Sequence, residues 1–229
     1  MHDLTPILEF KDVTFSSPTS QLSGLKEVSF TLNRGEIVVV ELEEGREHIP
    51  LASLAQGLVV QDAGHVCFKS EDWREMSASR LAVQRGLIRR VFEHYGWITN
   101  LDMMENMSLA ESYHTGRDMD DIAQEIRALA RRFGIDPLPD SRPTRIHTMI
   151  LRKLEWVRAF VGTPDLILLE RPFFGAPKAD ASKLVQAVCE AARRGVAVLW
   201  MEDDPRFLES GEMATVRRFR MNSEKLVAV

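Results

Sequence analysis

The chain has 229 residues, 45% of them hydrophobic and 28% charged, which supplies one substantial core and excludes a disordered polymer. Its formal net charge of -5 excludes the basic excess that marks a nucleic-acid binder. Cys67 and Cys189 stand apart among apolar neighbours, so a reducing compartment is expected rather than a disulfide framework.

The first third reads as strands. "ILEFKDVTF" and "EVSFTL" alternate apolar and polar residues, as half-buried antiparallel strands do. "EIVVVEL" is instead a continuous apolar run rich in β-branched residues, which suits a strand buried on both faces of a parallel sheet. A turn at Gly45 follows, and then "PLASLAQGLV", a helix opened by Pro50 in the position proline favours. Many α/β proteins hold a phosphate at such a strand, turn and helix. Here the turn carries Glu41, Glu43, Glu44 and Glu47 against Arg46, and like charges about 4 Å apart cost on the order of 4 kcal/mol at an effective dielectric near 20. With His48, these acids read as a solvated loop rather than a cation site.

Residues 97–160 are expected to form a helical lobe, in which "MDDIAQEIRALARRFG" places Met119, Ile122, Ile126, Leu129, Ala130 and Phe133 on one stripe closed by Gly134. "IDPLPDSRP" is a proline-rich connector. "PDLILLE" and "GVAVLWM" are two further buried parallel strands, joined by a helix, "DASKLVQAVCEAARRG", that ends at Gly195; a right-handed βαβ unit follows. "TVRRFRM" and "KLVAV" return to short strands. Glu202, Asp203 and Asp204 read as a turn and cap. Arg89, Arg90, Arg152 and Lys153 read as solvated faces. The N-terminus has no leader pattern, and no run approaches the roughly 18 apolar residues of a membrane span. A cytoplasmic protein in a single α/β domain, residues 1–229, is expected, reaching a membrane only through a partner.

In this order, "LNRGEIVVV", "LASLAQGLVVQDAGHV", "RRVFEHYGWITNLDMMENMSL" and "VRAFVGTPDLILLERPFFG" span nearly the whole chain. They resemble the ATPase subunit of an ATP-binding cassette (ABC) transporter, and within that family the lipid-trafficking cassettes of the Mla type. The resemblance implies a P-loop NTPase-like fold with a mostly parallel core sheet, an N-terminal antiparallel β subdomain and a helical lobe.

It also locates the chemistry. A phosphate loop GxxxxGK[ST] supplies close backbone N–H groups, a lysine and a hydroxyl for Mg²⁺; here Leu42 and Glu47 stand at its glycines, His48 at its lysine, Ile49 and Pro50 at its hydroxyls, and Gly45 alone fits. Glu170 falls at the Mg²⁺-organising aspartate, Arg171 at the general base, Asp203 at the switch histidine, Glu93 at the glutamine that meets metal and water, and Ser17 at the aromatic that stacks on adenine. Ile146, His147, Thr148, Met149 and Ile150 replace the signature that one cassette offers its partner's phosphate loop. His147 and Thr148 suggest no nucleophilic geometry.

The expectation is therefore a catalytically degenerate cassette needing no cofactor, acting as a structural or regulatory subunit. Its implied partners are a membrane permease, docked against Phe92, Tyr95, Trp97, Met103 and Met104, and a second cassette. The alternatives are a working ATPase subunit using ATP and Mg²⁺, paired with an intact cassette, and a soluble interaction module.

Overall fold

The computed structural model describes residues 5–16, 23–43, 49–94, 96–176, 178–203, 211–213 and 216–229. Strands β1 (Leu8–Phe15) and β2 (Leu25–Leu32) pair antiparallel, with Leu8 opposite Leu32 and Phe10 opposite Phe30. Their alternation buries one side of each strand, and the Phe10 and Phe30 rings stack at 4.7 Å, an aromatic cross-strand pair of the kind that holds register. β3 (Ile37–Glu41) is buried at every residue.

The helix expected from Pro50 is short: α1 (Leu51–Ala55) ends before Gly57. Gly57 has φ +61, and a Cβ there would lie 2.7 Å from the Trp73 ring. The glycine thus both stops the helix and admits the indole. β4 (Ala63–Phe68) and β5 (Glu71–Asp72) complete, among the described residues, a four-stranded antiparallel sheet in the order β2-β1-β4-β5.

α2 (Ala78–Arg85) leads into β6 (Ile88–Val91). Three longer helices follow: α3 (Met103–His114), α4 (Met119–Arg132) and α5 (Thr148–Phe160). α3 starts with a capping box, in which the Asp102 carboxylate accepts from the Glu105 N–H and the Glu105 carboxylate from the Asp102 N–H, each at 2.8 Å. β7 (Leu166–Glu170), α6 (Ala181–Arg193) and β8 (Ala197–Glu202) form the crossover. Gly195, at φ +95, turns the chain from α6 into β8. β9 (Arg217–Asn222) and β10 (Lys225–Ala228) end the fold.

The larger sheet runs β10-β9-β3-β8-β7-β6. Its strands are parallel apart from the β9–β10 hairpin. The period of two sorts each buried strand between two cores. Ile37, Val39, Ile167, Leu169, Val198 and Trp200 face one cluster together with α3 to α6. Val38, Val40, Leu166, Leu168, Leu199 and Met201 face the other, with α1 and the antiparallel sheet.

On α4, Ile122, Ile126, Ala130 and Phe133 are buried as the stripe requires, whereas Met119 at its first turn is 48% exposed. Phe133 meets Trp156 edge-on at 5.7 Å, and Trp156 donates its indole N–H to the Pro172 carbonyl at 3.0 Å. The helices therefore pack into the same cluster as β3 and β6 to β8. Among the described residues no helix is long and apolar enough to cross a membrane.

Candidate functional site

The carboxyl ends of β3, β8, β7 and β6 lie side by side, the edge of a parallel sheet at which α/β proteins place their sites. Charged side chains crowd this edge, and most of them are paired. Glu41, the last residue of β3, is 8% exposed and accepts two hydrogen bonds from Arg220 at 2.8 and 3.0 Å. The expectation of a solvated loop acid is corrected for this residue: it belongs to a central strand whose edge is covered by β9.

Glu202 stands opposite Glu41 in the parallel register and is 2% exposed. Burial, and after it the neighbouring Asp203, raises its carboxyl pKa from 4.5 to about 8, because desolvation disfavours the charged form. A buried strand end, rather than a turn and cap, is what Glu202 occupies.

Where the hydroxyls of a phosphate loop are expected, Ile49 and Pro50 are buried, and Pro50 caps α1 without a side-chain hydrogen bond. Leu42 is partly buried and donates its N–H to the Glu202 carbonyl at 2.8 Å. Gly45, Glu47 and His48 lie outside the described residues, as do Ser17, Tyr95 and Asp204.

Glu170 ends β7 and is gripped from β6. Arg90 donates Nε to Oε2 at 2.8 Å and Nη2 to Oε1 at 2.9 Å, a bidentate pair. Its Nη1 also reaches Gln56 Oε1 at 3.0 Å and Ser53 Oγ at 3.3 Å on α1, and the guanidinium covers the Phe92 ring at 4.7 Å.

Arg171 follows at φ +38, a left-handed conformation that a non-glycine residue keeps only when its surroundings impose it. Its side chain pairs with Glu93 from the end of β6 and, at 3.2 Å, with Asp203 from the end of β8. The structure thus brings together Glu93, Glu170, Arg171 and Asp203. A guanidinium carries no free lone pair to accept a proton and so cannot serve as a general base.

Behind this layer, α5 supplies a second. Arg152 is fully buried and donates to the carbonyls of Phe174 at 2.9 Å, Phe92 at 2.5 Å and Glu93 at 2.6 Å, and to Glu155 at 2.8 Å. Arg158 donates to the Gly96 carbonyl at 2.7 Å and lies 4.2 Å from the Trp97 ring centre. Burial pushes the Glu155 pKa up, opposed by Arg158 and Arg152. Arg89, on β6, pairs with Glu111 of α3.

Solvated faces for Arg89, Arg90 and Arg152 are therefore corrected, because each guanidinium finds acceptors that only the fold assembles. The residue pattern held one clue: charges inside "LIRRVF" interrupt an apolar strand. Arg158 matches the family pattern, but no local signal pointed to its contacts with Gly96 and Trp97, made beside its pairing with Glu155 one turn back on α5.

The expected docking residues divide. Met103 is fully buried in the core, so it offers nothing to a partner; this corrects its assignment. Met104 is partly buried against the same cluster, and Phe92 and Trp97 are half-buried under Arg158. Ile98, which the sequence reading passed over, is 43% exposed. Asn106 fixes its backbone, accepting from the Ile98 N–H at 2.8 Å and donating to the carbonyls of Ile98 at 3.0 Å and Asp102 at 2.9 Å. Just before α5, Ile146 packs partly on the core. His147 caps the helix by accepting from the Met149 N–H at 3.3 Å. Thr148, Met149 and Ile150 are exposed.

These side chains do not favour a metal ion at Glu170, because each of its oxygens accepts from Arg90 and the cation would sit beside that guanidinium charge. Among the described residues no three potential metal-ligating side chains cluster.

No protein-family model matches the chain. It is 23% identical to the intermembrane phospholipid transport system ATP-binding protein MlaF of Escherichia coli K12, over 97% of this chain and 81% of that protein. It is also 23% identical to the lipoprotein-releasing system ATP-binding protein LolD of Idiomarina loihiensis, over 82% and 83% of the two chains. Its backbone superposes on the ATP-binding cassette MJ0796, in a dimeric post-hydrolysis state bound to ADP and Pi, with a TM-score of 0.82 at 18% identity, covering 96% of each chain. These likenesses correct the expectation that no cofactor accompanies the chain: the relatives are ATP-binding proteins and the neighbour holds a nucleotide, so nucleotide belongs with this architecture. The chain has the α/β fold of an ABC-transporter ATP-binding cassette, and its relatives by sequence include MlaF and LolD.

Proposed function

We propose that the chain is the cassette subunit of a membrane transporter, of the kind that handles lipids or lipoproteins, and that its hydrolytic step has been replaced by structural ion pairs. The observation that carries this reading is Arg171, at the position of the general base, paired with both Glu93 and Asp203. The Arg90–Glu170 pair supports it independently. Such a subunit acts by its shape, holding a permease, with a second cassette as its counterpart, on the cytoplasmic side of the membrane. The surface around Ile98, Trp97 and Met104 suits docking to that permease, since exposed and half-exposed apolar and aromatic groups favour interfaces. The single-domain boundaries 1–229 belong to the same proposal.

Nucleotide binding and nucleotide turnover are separable, and the test separates them. Titration with Mg-ATP measures occupancy, while phosphate release measures chemistry, alone and with the co-purified membrane partner. The expected result is no release above a protein-free blank at any occupancy. Release that Glu170→Ala abolishes would overturn the reading.

A second reading is a working ATPase subunit paired with an intact cassette, and the ATP-binding relatives favour it. Association with a second cassette that requires ATP supports this one; binding to a permease regardless of nucleotide supports the first.

A further inference from the structure

Between β6 and α3 the described residues carry no regular secondary structure, and segments of this kind are ordinarily the mobile part of an α/β site. Here it is held from three directions. Arg171, at the end of β7, pairs with Glu93 and with Asp203 at the end of β8. Arg152 donates to the carbonyls of Phe92 at 2.5 Å and Glu93 at 2.6 Å. Glu155 accepts from the Gly96 N–H at 3.1 Å, and Arg158 donates to the Gly96 carbonyl at 2.7 Å while covering Trp97. Asn106 then carries the fixed position outward to Ile98.

We propose that Arg171, Glu93 and Asp203 form a built-in latch that keeps the segment after β6, and the exposed surface around Ile98, in one position whatever occupies the carboxyl edge of the sheet. The inference rests on reading that edge as the cassette's site, not on whether the site turns nucleotide over. A ligand moves a segment only by binding two of its positions with different affinity. Moving this one would part Arg171, whose side chain is 9% exposed, from Glu93, at 16%, and strip Arg152 of two acceptors. Separating poorly solvated charges in this way is costly. A guanidinium belonging to the chain, unlike a ligand, never leaves.

Hydrogen exchange on the full chain, read by mass spectrometry across residues 92–102, tests the latch. Arg171→Met is expected to speed exchange there at least about tenfold, as local opening becomes easier, and Glu93→Gln by a smaller factor. Saturating Mg-ATP is expected to change the wild-type rate there by less than about twofold. Unchanged exchange in folded Arg171→Met would overturn the latch, as would an approximately tenfold response of the wild type to nucleotide. Should Arg171→Met not fold, Asp203→Asn, at a side chain 35% exposed, decides the same question with the same readout. Phosphate release by the wild type would refute the loss of hydrolysis and leave the latch standing; unchanged exchange would do the reverse.

Discussion

Arg90→Met removes the bidentate cation from the Glu170 carboxylate, whose side chain is 9% exposed. The two contacts at 2.8 and 2.9 Å put the charge centres roughly 4 Å apart, worth on the order of 4 kcal/mol at an effective dielectric near 20. Breaking one side of a buried pair generally costs about 3 to 5 kcal/mol, so the two routes agree. With a urea slope of about 3 kcal/mol/M, the unfolding midpoint of Arg90→Met falls by roughly 1 M. Adding Glu170→Gln to that variant removes the stranded charge and recovers most of the loss. A single variant that loses less than about 1 kcal/mol, or a double variant no more stable than the single, refutes the claim that this pair is buried and mutually dependent.

Glu202 makes stability depend on pH. Its folded pKa of about 8 against 4.5 means that the folded state holds the proton more tightly; the associated stability is full below about pH 4.5 and is lost as pH rises through about 8. At about 1.36 kcal/mol per unit the span is on the order of 5 kcal/mol, and Glu202→Gln should flatten the stability profile across that window in thermal melts. Gly64, at φ +79, would bring a Cβ 2.3 Å from the Lys11 carbonyl oxygen, so Gly64→Ala should cost at least about 2 kcal/mol, read by chemical denaturation. Asp102→Ala removes half of the α3 capping box and should cost about 1 kcal/mol, with faster amide exchange confined to the first turn.

Much of the architecture was legible locally. The continuous apolar runs became β3, β7 and β8, buried throughout, and the alternating runs became β1 and β2. The α4 stripe was legible down to Phe133, because a helix packed on one side must repeat its apolar residues at its own period. The resemblance set Glu93, Arg171 and Asp203 at separate motif positions, and in the structure Arg171 pairs with the other two. That pairing did not follow from the motifs. Arg90 and Arg152 looked like solvated charges because a guanidinium's environment depends on acceptors distant in the chain: Glu170 lies 80 residues from Arg90, and Phe92 lies 60 from Arg152. Met103 failed for the same reason, since methionine fills cores and interfaces alike.

What the sequence alone determined is the type of the strongly patterned elements, β1, β2, β3, α4, β7, α6 and β8, because hydrophobic period and turn chemistry act over a few residues and need no partner. What only the tertiary structure decided is the fate of the charges. The acidic turn after β3 pointed to repulsion at the carboxyl edge of the sheet, yet its first glutamate is buried against Arg220, and its neighbours along the edge are joined through Arg90 and Arg171. Charge balance at a buried site is a sum over elements that meet only on folding, and no local pattern contains it.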